Sequence, residues 1–199
     1  MFVVLEGGEG AGKSTLAAAL AKRIEAAGRD VVLTREPGGT HAGELVRTLL
    51  HEPLPPWGET FAFLVARAQL VAEVVRPALV GGAVVLCDRF AGSTFAYQGY
   101  GRGLDLAELR RVNALATGGL EPDLVLYLDL PPEAGLARKH GEAEAIRTGL
   151  EGLVFHERVR EGFRAQAAAD PKRWVTLDAT VPADAVAAAA WAALGPRLG

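Results

Sequence analysis

The amino-acid sequence predicts an α/β fold: a five-stranded parallel sheet with helices on both faces. Three observations predict it. Five short runs rich in Val, Leu and Phe recur along the 199 residues, longer stretches of helical periodicity separate them, and the first run leads directly into a glycine-rich loop. Strands that are apolar on both faces and alternate with helices belong to a parallel sheet covered on two sides. Right-handed crossovers then gather the functional loops along the carboxyl edge of that sheet.

The elements follow in order. Phe2-Val3-Val4-Leu5 is a short buried strand. Leu16, Leu20 and Ile24 recur at i, i+4 and i+8, so a helix follows, closed by Gly28 as its C-terminal cap. Val31-Val32-Leu33 is a second strand and runs into Thr34-Arg35-Glu36-Pro37-Gly38-Gly39-Thr40. A helix is expected over about 43–50. After the break at Pro53-Leu54-Pro55-Pro56, a long one is expected over about 59–79. Val84-Val85-Leu86-Cys87 is the third strand and ends in Asp88-Arg89. A helix over about 105–117 precedes the fourth strand, 124–128; a polar stretch at 139–149 then leads to a helix over about 151–169. Trp174-Val175-Thr176-Leu177 is the fifth strand, and the last helix spans about 184–194. No repeat or low-complexity linker divides the chain, so one domain over 1–199 is expected.

Composition excludes several function classes. Lys and Arg total 21 against 24 Asp and Glu, a net charge of −3, so no global basic field draws the chain to nucleic acid or anionic membrane. A single cysteine, Cys87, excludes an intramolecular disulfide and fits a reducing compartment. Glu6 interrupts the position of a secretory apolar segment, and the longest apolar run, 185–194, is about half of the ~20 residues a membrane span needs. The expected location is cytoplasmic. Seventeen Arg against four Lys, with one Asn, three Gln and one Met, fit either a heat-adapted source or a GC-rich genome.

Gly7-Gly8-Glu9-Gly10-Ala11-Gly12-Lys13-Ser14, followed by Thr15, matches G-x-x-x-x-G-K-[ST]. Glycines let successive N–H groups curl inward into an anion cradle at a helix N-terminus. Lys13 is placed to reach the β- and γ-phosphates of ATP, and the Ser14 hydroxyl to coordinate Mg²⁺. The motif follows a strand and opens a helix, so a three-layer P-loop NTPase fold is expected. Two more segments leave strands at the same edge, 34–40 and 88–99, while Phe63 and Arg67 share one face of the long helix. Taken singly, Phe63 reads as core, Arg67 as a solvated charge, and Asp88-Arg89 as a salt bridge. Together they supply arginines for a phosphate, a ring for a base, and amide and hydroxyl groups for base edges, which suits a nucleoside monophosphate.

Those stretches, with Ala96-Tyr97-Gln98-Gly99 the most specific, resemble the bacterial thymidylate kinases over almost the whole chain. The resemblance implies phosphoryl transfer from ATP to dTMP, giving dTDP and ADP, with Mg²⁺ and a homodimer. It implies that Phe63 stacks on thymine and Arg67 bonds the carbonyl edge of the base. Thr94 and Gln98 would contact the base, Tyr97 the sugar, and Arg35, Arg47 and Arg89 the acceptor phosphate, with Glu36 in the same segment. Glu9 would sit by the 3′-hydroxyl and the metal, Asp88 would order the metal's water shell, and Arg138 would cover adenine with the loop after Asp178. A lid is implied over about 138–150, with Arg147 as its catalytic cation or, alternatively, as a solvated charge at the start of a helix. Another P-loop kinase acting on an unphosphorylated acceptor and a non-catalytic nucleotide-binding regulator are the rival readings.

Overall fold

The computed structural model describes residues 1–139 and 152–198. Arg147, and the lid expected over 138–150 apart from its first positions, lie outside the described residues. Five strands, β1 (Phe2–Gly7), β2 (Val31–Arg35), β3 (Val84–Asp88), β4 (Leu124–Asp129) and β5 (Trp174–Asp178), form one all-parallel sheet in the order β2-β3-β1-β4-β5. Each strand runs one or two residues beyond its apolar run. The parallel ladder carries on through polar ends, pairing Gly7 with Leu128, Arg35 with Asp88 and Asp129 with Asp178.

Strand side chains alternate between two apolar layers, which explains why the runs lack polar alternation. Val3, Leu5, Val84, Leu86, Leu124 and Leu126 face helices α1 (Lys13–Ala26) and α9 (Ala183–Leu194). Phe2, Val4, Val85, Cys87 and Val125 face Leu70, Val71, Val75 and Phe90 on the other side. Gly28 ends the first helix region with φ +74°, as its place in the sequence suggests. Helix α2 (His41–Leu49) is capped by Thr40, whose side chain accepts from the Gly43 N–H.

The long helix starts earlier than expected. Helix α3 (Pro56–Leu70) places Pro56 in its first turn, where a missing N–H costs nothing, and passes through a π turn (Val71–Val75) into α4 (Arg76–Val80). The segment after Asp88 is helical too: α5 (Ala91–Thr94) widens into a second π turn, Phe95–Gly101. Asp105 caps α6 (Leu106–Thr117). Helix α7 (Pro132–Lys139) follows β4, and α8 (Leu153–Ala169) leads to β5.

Candidate active site

The loop between β1 and α1 reaches the carboxyl edge at the centre of the sheet. Gly12, with φ +91°, caps α1 and contributes no side chain, so the first N–H groups of the helix remain available to an anion. Gly10 has φ +66°, and a Cβ there would stand 2.2 Å from the Gly135 carbonyl oxygen of α7. Only glycine fits that approach. Lys13 is buried, and its Nζ donates to the carbonyls of Gly7 (3.1 Å) and Gly8 (2.8 Å). Burial first, and Arg89 next, lower its pKa to about 8. Ser14 Oγ donates to Asp88 Oδ2 at 2.6 Å across to the end of β3.

A cavity of about 480 Å³ follows this loop from Glu9 to Thr15, and Arg35, Arg47, Asp88, Arg89 and Arg138 also line it. Arg35 is half exposed and paired with Glu44 at 3.2 Å. On the β5 side a second cavity, about 440 Å³, is lined by Ala11, Gly12, Thr15, Arg138 and residues 179–184. Arg138 donates from both terminal nitrogens to the Ala179 carbonyl at 3.3 Å. The guanidinium therefore sits against the segment after Asp178.

A third cavity opens on the other flank. Its lining includes Glu9, Glu36, Phe63, Arg67, Arg89, Thr94, Tyr97 and Gln98, so eight residues singled out from the sequence converge there, with Pro37 and Ser93 beside them. Arg89 is its pivot. Among the described residues it is the one non-glycine residue with positive φ (+73°), a strained conformation of the kind held at functional sites. Its Nη2 donates to Glu9 Oε1 (2.9 Å) and Tyr97 Oη (3.3 Å), and its Nη1 to the Gly7 carbonyl (3.2 Å) and Ser93 Oγ (3.1 Å). Tyr97 in turn donates to Glu9 Oε1 at 3.2 Å, and burial pushes its phenol pKa up.

Arg67 is no solvated surface charge: it is 1% exposed. Its Nε donates to Glu36 Oε2 (2.8 Å), Nη1 to Asn113 Oδ1 (2.8 Å) and Nη2 to the Phe90 carbonyl (3.0 Å). Glu36 is buried as well, its pKa raised by burial against the pull of Arg67, and its Oε1 has no protein partner. The fork of Arg67 is thus set by Glu36 and Asn113 before any ligand arrives.

Sequence reasoning missed several supporting residues. Glu6 lies within β1, where the alternation marks a core position. Its Oε1 accepts from the N–H groups of Phe90 and Ser93, and its Oε2 from Ser93 Oγ at 2.6 Å, which fixes the start of α5. Burial, opposed by Ser93 and Arg89, raises its pKa to about 7. Asn113, the chain's single Asn, and Glu59, a carboxylate on an apolar helix face, were legible only as oddities of composition.

The comparisons with known proteins agree with this geometry. The family model described as thymidylate kinase matches residues 5–190. A thymidylate kinase of a Synechococcus strain is 52% identical over 201 residues, covering all of this chain and 97% of that protein. One from Deinococcus radiodurans is 50% identical over 99% of this chain and 97% of its own length. The crystal structure of thymidylate kinase from Ehrlichia chaffeensis superposes with a TM-score of 0.82 at 31% identity, covering 98% of each chain. The fold is the P-loop NTPase fold, and the chain belongs to the thymidylate kinase family, whose members use ATP to phosphorylate dTMP to dTDP.

Proposed function

We propose that this chain carries out its family's reaction as one domain, with dTMP in the cavity around Phe63 and Arg67 and ATP along residues 7–15. One observation carries the reading. The acceptor cavity and the phosphate-loop cavity share Glu9, Glu36, Pro37 and Arg89 as a common wall, so two polyanions bound on either side meet at a guanidinium. Phe63 stacks on the base, and Arg67, Thr94 and Gln98 contact its edges. Tyr97 packs against the sugar beside Glu9. Arg35, Arg47 and Arg89 hold the acceptor phosphate, and Arg138 covers adenine.

The chemistry asks for little covalent participation. The attacking phosphate oxygen is already ionised, so catalysis consists of in-line positioning and stabilisation of negative charge spread over the moving phosphoryl group. Lys13 and Arg89 supply that charge from this chain. Burial lowers the pKa of Lys13, and the arrival of phosphate favours its charged form again. Arg89 keeps its charge throughout, since Glu9 and Asp88 favour the cation against burial. Arg147 remains our candidate for a further cation on the lid.

The donor set fits Mg²⁺. Ser14 Oγ and Asp88 Oδ2 lie 2.6 Å apart beside the loop, with Glu9 on the same cavity, and all are hard oxygen donors. The described residues hold no cluster of three or more His, Cys, Asp or Glu, as befits an ion held chiefly by waters and phosphates. When bound, it would neutralise charge on the phosphates. No helix among the described residues is long and apolar enough to cross a membrane. Exposed apolar side chains on α2 and α3 support a homodimer.

A coupled assay of ADP release tests the reading. Turnover is expected with dTMP and ATP and not with thymidine, because the paired arginines serve a phosphate. Equal turnover with thymidine would overturn it.

A further inference from the structure

Glu59 is a carboxylate that the mechanism above does not use, yet it is 4% exposed, on the face of α3 that also carries Phe63 and Arg67. Buried glutamates persist where they are paired. Its Oε1 accepts from Gln98 Nε2 at 2.7 Å, and its Oε2 accepts from Arg102 Nη2 at 3.1 Å, which supplies the balancing charge. The first of these contacts has a chemical consequence. A carboxylate only accepts hydrogen bonds, whereas a glutamine amide has one donating and one accepting end. Gln98, itself 1% exposed, must therefore turn its NH₂ toward Glu59. That leaves its carbonyl oxygen as the end free to serve the cavity that Gln98 lines.

Pyrimidine bases differ at the position such an oxygen reads. Thymine and uracil carry a hydrogen on N3 and donate it. Cytosine has a lone pair there, and two acceptors facing each other in a dry site leave both unsatisfied. Rejecting a base by mispaired polar groups is far stronger than rejecting it by a missing methyl. We propose that Glu59 is a positioning residue for specificity: it fixes the orientation of the Gln98 amide and so selects acceptor bases that donate from N3. This inference rests on the reading that Gln98 lies against the base.

The test uses the full chain with Mg²⁺ and ATP, and measures kcat/KM for dTMP, dUMP and dCMP. Wild type is expected to prefer both dTMP and dUMP to dCMP. In Glu59→Gln the opposing amide can present either end, so Gln98 is released to flip. The dTMP:dCMP ratio is expected to fall about 10-fold or more, mainly through KM, while the dTMP:dUMP ratio stays fixed because both bases donate from N3. Arg102→Gln leaves the carboxylate opposite Gln98 and is expected to keep the dTMP:dCMP ratio of wild type. Parallel losses on all three nucleotides in Glu59→Gln would mark Glu59 as merely structural and overturn the proposal. So would an unchanged dTMP:dCMP ratio, or a wild type that accepts dCMP as readily as dUMP. Failure of wild type to phosphorylate dTMP at all would instead sink the functional reading beneath it.

Discussion

At the scale of single residues, the site depends on charged groups held by other charged or polar groups in dry surroundings. Glu6 shows the consequence for stability. Its pKa rises from an ordinary 4.5 to about 7 in the folded chain, with burial as the main cause. Between those values the folded state binds the extra proton, so stability falls as pH rises, by on the order of 3 kcal/mol from this group. Glu6→Gln mimics the protonated form, still accepting from Phe90 and Ser93 and donating to Ser93 Oγ. Melting curves at pH 5 and pH 8 are expected to show wild type losing stability relative to Glu6→Gln; parallel slopes would refute the assignment. Side chains named by the motif or the resemblance, such as Lys13, Ser14 and Arg89, could be singled out from the sequence, and they line the phosphate-loop cavity. Glu6, Asn113 and Glu59 were not, because their role lies in partners 39 to 87 residues away.

At the scale of elements, the strands, the long helices and α2 could be read, whereas α5 and α7 could not. The apolar runs mark β1 to β5 since a doubly covered sheet leaves no polar alternation to confuse the pattern. Helices α5 and α7 were missed for different reasons. The first spans four residues before widening into a π turn, and the second is only eight residues long, with Gly135 making a close approach to the phosphate loop. In that approach, a Cβ on Gly135 would stand 2.1 Å from the Glu9 carbonyl oxygen, just as one on Gly10 would strike Gly135. Helix α7 therefore braces the phosphate loop from outside while carrying Arg138 one turn further on. Gly135→Ala forces the two segments apart. We expect its KM for ATP to rise about 10-fold or more, since an ångström of misplacement in a positioning site is costly, with a smaller change in KM for dTMP. Unchanged ATP kinetics would show that α7 does not brace the loop.

At the scale of the whole molecule, the apolar surface is uneven. Leu45 and Leu49 on α2, and Phe61 and Val65 on α3, are each between 45% and 60% exposed, although these two helices pack together. Exposed apolar side chains on two packed helices are candidates for an interface. A Phe61→Glu, Val65→Glu double variant is expected to sediment as a monomer where wild type sediments as a dimer; a monomeric wild type would refute the interface. Strand order has a further effect. With β1 central, β3 and β2 lie on one side and β4 and β5 on the other. The cavity proposed for the acceptor base opens on the first flank and the cavity beside Arg138, proposed for adenine, on the second. With dTMP and ATP bound as proposed, the two nucleotides arrive from opposite shores of the sheet and meet at the wall that Glu9, Glu36, Pro37 and Arg89 share. On that reading the head-on approach the reaction demands starts from strand order, which sets the two cavities on opposite sides of β1.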